Sequence, residues 1–174
     1  MNSRILKGYW IWGQFDAEAT NLITSLYRKI NNKLNGPNFD IHLTISGPFN
    51  YDEKKQEEIF RVLSSKFNEI DLQLKGISKT DEFFRSLFID VAQNENLNNL
   101  KDYIDKNFNI NSLEYCPHIS LFYGKEDDAT KNKLIRKLQV PKSVIVDKIS
   151  IVKVDEEIKS WEVLKSYSLF KLKQ

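Results

Sequence analysis

The sequence predicts an α+β domain of two similar lobes, and three observations predict it. Segments of period-two apolar alternation, the mark of half-buried strands, trade places with segments whose apolar residues recur every three or four positions, the mark of amphipathic helices. Their order is β-α-β-α-β, then β-α-β-α-β-β, so two halves of like content stand in tandem. The chain of 174 residues has two histidines, one in each half, and each opens the same short pattern. No Gly-, Ser- or Pro-rich linker parts the halves. One domain over 1–174, made of two lobes, is the natural reading.

Each element has its own signal. Residues 5–15 read as an aromatic strand with Trp10 and Trp12 on one face and Tyr9 and Ile11 on the other. Asp16 suits an N-cap for a helix to about Leu34, with Leu22, Ile23, Leu26, Tyr27 and Ile30 as its apolar stripe. Asn35-Gly36-Pro37 stops it. A strand at 40–46 is broken by Gly47-Pro48. A helix over 52–67 turns Ile59, Val62, Leu63 and Phe67 to one side. Strands at 70–79 and 83–91 follow, then a helix at 94–107, a strand at 117–123 and a helix at 127–138. Two closing strands, 143–154 and 160–171, flank the charged turn Asp155-Glu156-Glu157.

The repeated pattern is His42-Leu43-Thr44-Ile45 and His118-Ile119-Ser120-Leu121, each closed by a glycine soon after. By composition, one histidine has an apolar, Ser/Thr, apolar sequel with a chance of about 0.03, and both do so with a chance of about 10⁻³. On a strand, His42 and Thr44 share a face, with Ser46 beyond them; His118, Ser120 and Phe122 do the same. Each strand thus offers an imidazole and a hydroxyl roughly 7 Å apart. Imidazoles titrate near neutrality, so one can take a proton while the other gives one. Neutral hydroxyls beside them can bind phosphate oxygens. The set suits phosphoester cleavage and calls for no metal or other cofactor.

The ordered pair, 76 residues apart, resembles the signatures of the 2H phosphoesterase superfamily. Cys116-Pro117-His118-Ile119-Ser120-Leu121-Phe122-Tyr123-Gly124 is similar to the second motif of its cyclic phosphodiesterases, and Glu82–Asp90 looks like the strand before it. The resemblance implies two lobes of mainly antiparallel sheet, helices outside, and a central cleft holding both motifs. It implies hydrolysis of a ribose 2′,3′-cyclic phosphate, nucleoside or ADP-ribose, with His42 and His118 as acid and base. Thr44 and Ser120 would bind substrate. It also implies a Tyr near the phosphate at position 123. Cleavage of 2′–5′-linked or cyclic oligonucleotides, or of RNA ends, is the alternative within the superfamily. A non-catalytic nucleotide-binding module is the alternative outside it, and intact histidines weigh against that.

Other readings of these residues are blander. A lone strand histidine is more often structural, but two in matching contexts reverse that. His-x-Thr does not match metal-ligand spacing. A Cys116–His118 nucleophile lacks a third orienting group. Strict alternation sends Tyr123 to the core, and only a twist or bulge would bring it to the site. Trp12 and Phe84 fit either core packing or stacking on a base from the cleft rim. Arg85 reads as a snorkelling surface residue. Ser86 is a weak cleft candidate.

A net charge of +2 gives no global field that demands nucleic acid. There is no phosphate-binding glycine loop for nucleoside triphosphates. The N-terminus lacks an apolar signal core, no run is long enough to span a membrane, and the lone Cys116 forms no internal disulfide. A cytoplasmic monomer acting on a small nucleotide or an oligonucleotide end is the default expectation.

Overall fold

Asp16 ends the first strand and begins the first helix. Its carboxylate accepts from the Ala19 amide at 2.8 Å, capping α1 (Ala17–Leu34) directly after β1 (Gly8–Phe15). The computed structural model describes residues 7–111 and 114–171, so Ile5 and Leu6 of the expected first strand lie outside the described residues. The same device recurs. Asp52 caps α2 (Glu53–Lys66), Asn94 caps α3 (Glu95–Phe108) and Asp127 caps α4 (Asp128–Ile135). Each cap satisfies an otherwise orphaned amide and is worth about 1 kcal/mol. Asn35 and Asn109 end α1 and α3 in the left-handed conformation.

The strands are β2 (Leu43–Phe49), β3 (Ile70–Lys79), β4 (Leu87–Val91), β5 (His118–Phe122), β6 (Ser143–Val154) and β7 (Glu162–Ser168). They form a seven-stranded sheet in the order β1-β2-β5-β4-β3-β6-β7, each pair antiparallel. The α+β class is therefore as the alternation and tandem order indicate. β6 also pairs with β1, so six strands make a closed circuit. The twelve-residue β6 does this by changing partners along its length. Its start pairs with β3 and its remainder with β7, while β1 holds the opposite edge. The circuit is thinnest between β2 and β5, where one register pair, Leu43 opposite Ile119, joins the two histidine strands.

One apolar core draws on both halves: Ile11, Ile23, Ile30, Leu43 and Ile45 meet Ile89, Leu97, Ile104, Ile119 and Leu121, all fully or almost fully buried. A large side chain of this kind contributes roughly 1.5–3 kcal/mol on burial. On the other side of the sheet lies a small separate cluster of Trp12, Val152 and Val154, with Trp10, Trp161 and Val163 against it. This second cluster borders the site.

Several local expectations change. The strand expected to break at Gly47-Pro48 runs through it, so β2 reaches Phe49. The strand expected at 83–91 begins at Leu87, because Phe83–Arg85 forms a single 3₁₀ turn. Thr80 ties that turn down by donating its hydroxyl to the Arg85 carbonyl at 2.6 Å. The last strand starts at Glu162, after a second 3₁₀ turn at Ile158–Ser160. The strand alternation itself slips in β2 and in β5, with consequences for the site.

Candidate active site

The site follows from the Leu43–Ile119 register. In an antiparallel pair centred there, position 42 falls opposite 120, and 44 opposite 118. Each histidine is thus set beside the other strand's hydroxyl residue. The two imidazoles lie on a diagonal, which in such a ladder spans roughly 7–8 Å between backbones. His42, Thr44, His118 and Ser120 together line a cavity of about 310 Å³.

Both imidazoles are held alike. Nδ1 of His42 lies 2.6 Å from the Asp40 carbonyl, and Nδ1 of His118 lies 3.0 Å from the Cys116 carbonyl. A carbonyl can only accept, so Nδ1 carries the hydrogen in each ring. The tautomer is fixed, and Nε2 is the nitrogen left for chemistry.

Each motif then contains a bulge one residue past its hydroxyl. Between β1 and β2, Ile11 pairs with Ser46 but Trp12 pairs with Thr44, so Ile45 is the extra residue. Between β4 and β5, Leu87 pairs with Phe122 but Phe88 pairs with Ser120, so Leu121 is extra. A bulge shifts the alternation by one. Ser46, expected beside His42 and Thr44, instead turns to α3 and donates to the Asp105 carboxylate. Phe122, expected beside His118, joins the core. Tyr123 swings into the cavity, which it lines together with Ser120. Burial pushes the Tyr123 phenol well above its ordinary range, so it stays a neutral donor.

The walls are aromatic. Trp12 is only 3% exposed and stacks flat on His42, centroids 3.5 Å apart and planes 6° apart. Trp12 is thus both buried and a cavity wall. Phe84, on its 3₁₀ turn, meets Tyr123 edge-on at 5.4 Å. The Phe84 carbonyl accepts from Ser120 at 3.4 Å. The seven residues His42, His118, Thr44, Ser120, Tyr123, Trp12 and Phe84 all border this one cavity. Ser86 is fully buried beneath the turn and does not, and Arg85 stacks on the Phe88 ring at 4.4 Å. Sequence reading missed Trp161, together with Trp10 and Val154. Trp161 packs against Trp12 at 5.8 Å and Tyr123 at 6.0 Å. A lone tryptophan in a charged turn was the available signal.

Electrostatics separate the two histidines. Burial lowers the His42 pKa to about 4, and the nearby His118 adds to the effect. His118 is also lowered by burial and by Arg85, but Asp90 and Glu82 pull the other way. Asp90 is its register partner on β4.

Behind the site a buried polar chain ties the motifs together. The Lys101 ammonium pairs with Asp105 at 2.5 Å and sits 5.2 Å over the Tyr115 ring. Tyr115 donates its hydroxyl to the Thr44 carbonyl at 3.1 Å. With the Ser46–Asp105 bond, α3 and the segment before β5 both grip β2. Among the described residues no group of three or more His, Cys, Asp or Glu side chains is placed to hold a metal ion, and no helix is long and apolar enough to cross a membrane.

A family model described as cyclic phosphodiesterase-like protein matches residues 14–169. No curated protein sequence matches the chain. Among solved structures, apo LigT of E. coli is similar over 94% of this chain and 98% of its own, at a TM-score of 0.66 and 16% identity. TT0787 of Thermus thermophilus is similar over 92% and 97%, at 0.65 and 14%. LigT has also been solved with 3′-AMP, and that structure matches at 0.61 and 13% over 94% and 98%. These likenesses establish the shared fold.

Proposed function

The chain belongs to the cyclic phosphodiesterase-like family of the 2H phosphoesterase superfamily, and from that premise we propose that it hydrolyses ribose 2′,3′-cyclic phosphates by paired histidine acid–base catalysis. The observation that carries the reading is the crossed register, which sets an imidazole and a hydroxyl on each side of one small cavity. A phosphodiester there has Thr44 and Ser120 as donors to its non-bridging oxygens, with Tyr123 behind Ser120. Donors fixed where charge builds supply the transition-state stabilisation that such reactions need most.

The proposed roles follow from the surroundings. His42, stacked on Trp12 and dry, holds its proton weakly and is the base. Its Nε2 takes a proton from water as the water oxygen bonds to phosphorus. His118 is lowered less by burial and has Asp90 and Glu82 beside it, so it is the ring of the pair that more readily carries a proton and serves as the acid. It gives its proton to the ribose oxygen as the P–O bond breaks. The product is a ribose phosphomonoester, with His42 protonated and His118 neutral; solvent restores both.

The test is hydrolysis of a nucleoside 2′,3′-cyclic phosphate in EDTA by the wild type, His42→Ala and His118→Ala. Turnover that survives EDTA and falls about 10²–10⁴-fold in each variant supports the mechanism. Chromatography of the product as 2′- or 3′-phosphate identifies the oxygen that departs. No turnover by folded wild type overturns the proposal.

A further inference from the structure

Lys131, on α4, is 1% exposed and does not border the catalytic cavity. Its ammonium donates to the Thr80 carbonyl at 2.8 Å. Two carboxylates stand farther off, Asp81 at 3.6 Å and Asp128 at 4.0 Å, and both are exposed. Taking an ammonium out of water is costly unless its bonds are replaced. An apolar side chain of the same length would fill the space without that cost, so what the lysine adds is its hold on Thr80. The neighbouring Lys79–Asp128 pair, at 2.5 Å, joins the same two segments where Asp128 is open to solvent, and such pairs contribute little.

Thr80 is the base of the 3₁₀ turn that carries Phe84. Its hydroxyl donates to the Arg85 carbonyl at 2.6 Å and accepts from the Glu82 amide at 3.2 Å. Its own amide donates to the Ser86 carbonyl at 3.2 Å. With Lys131 on its carbonyl, every polar group of Thr80 is engaged. The carbonyls of the turn are taken as well. Phe83 accepts from the Gly124 amide at 2.9 Å, Phe84 from the Ser120 hydroxyl at 3.4 Å, and Arg85 from Thr80. Two of those three donors belong to the second histidine motif. A short chain of bonds thus runs from α4, through Thr80 and the turn, to Ser120.

Resting on the proposed function, we propose that Lys131 is a positioning residue that fixes, through Thr80 and the Phe83–Arg85 turn, the direction of the Ser120 hydroxyl. A serine hydroxyl has one hydrogen to give. At 3.4 Å the bond to Phe84 is long, so the hydrogen is aimed but loosely held, and a phosphate oxygen in the cavity takes it by a small rotation. A turn that shifts towards Ser120 keeps the hydrogen, and a turn that shifts away leaves it unaimed. Either way the donor is no longer set in advance for the charge that builds on the phosphate.

The experiment measures kcat and KM on a nucleoside 2′,3′-cyclic phosphate for Lys131→Met, which keeps the length and removes the ammonium, in the wild type and in Ser120→Ala. Lys131→Met is expected to lower kcat about tenfold and to move KM by less than about twofold. Once Ser120 is alanine it should do almost nothing, because the two residues act along one chain. Leu134→Ala takes buried packing from the same helix and leaves the chain intact. It should lower the melting temperature and keep kcat. Should Lys131→Met fail to fold, Thr80→Val breaks the next bond and carries the same expectations. An unchanged kcat in Lys131→Met, an equal loss in both backgrounds, or a matching loss in Leu134→Ala overturns the proposal. If the wild type does not turn over, the catalytic reading fails and the chain is judged by hydrogen exchange at the Gly124 amide, which bonds to the Phe83 carbonyl. Exchange about tenfold faster in Lys131→Met, relative to the Ile89 amide, and unchanged in Leu134→Ala then supports the hold on the turn. Unchanged exchange in Lys131→Met overturns it.

Discussion

The two histidine motifs share a backbone plan and differ in everything around it. Each places Nδ1 on the carbonyl two residues back, a hydroxyl residue two ahead, and a bulge just beyond. Each then reaches a glycine at positive φ, Gly47 or Gly124, where a Cβ would run into an aromatic ring, that of Trp10 or Phe122. Yet His42 is 6% exposed and lies flat on Trp12, while His118 is partly exposed, edge-on to Phe88, and surrounded by Arg85, Asp90 and Glu82. The repeated part fixes geometry. The unrepeated part sets proton affinity, and in the proposed mechanism that difference gives two copies of one device opposite roles.

The sharpest way to break this comparison is to change the leaving group. With an ester whose leaving oxygen needs no proton, such as a nitrophenyl phosphodiester, His118→Ala should keep most of the wild-type rate. His42→Ala should still lose about 10²-fold or more. Equal losses would mean that the two motifs are not divided into base and acid.

The next effect is on stability. His42 has a folded pKa near 4, below the ordinary value of 6.5. The unfolded chain therefore binds the proton more readily between these values. Stability is full above about pH 6.5 and is lost as pH falls towards 4, by about 3 kcal/mol. Urea denaturation across this window should show that loss in the wild type and a flatter profile in His42→Gln. An unchanged profile would place the burial effect elsewhere.

Smaller still is Tyr115→Phe, which removes the tie between the segment before β5 and the Thr44 carbonyl. It should cost about 1 kcal/mol in thermal unfolding and lower kcat several-fold with little change in KM. Smallest is Asp90→Asn. Loss of this carboxylate should move the alkaline limb of the kcat/KM profile down by less than one pH unit, because Asp90 is not the largest influence on His118. The same substitution should leave the limb set by His42 where it was.

Much of this was legible in the sequence because period and capping are local. Asp16 announces the first helix, apolar spacing announces the other three, and strand alternation puts Trp10 and Trp12 opposite Ile11. The crossed register was not legible. It needs Leu43 to meet Ile119, and no local signal pairs residues that far apart. The bulges at Ile45 and Leu121 were equally hidden, since an extra residue looks like continued alternation until its partner strand is known. They are why Ser46 and Phe122 leave the site and Tyr123 enters it. Trp161 escaped because its role depends on a 3₁₀ turn folding back over β1.

The single Leu43–Ile119 link has a consequence for how activity is gained and lost. The two histidines proposed as the catalytic pair are joined across a seam, while the circuit that holds the seam shut closes through β1 and β6, where Gly8 meets Val154. Contacts this distant in sequence are made late in folding, when long loops have closed. Neither half then carries half an enzyme. Nicking the chain between the motifs, or peeling β1 from β6, should extinguish turnover before it erases much helix, so the reaction serves as a gauge of whether the ring is closed.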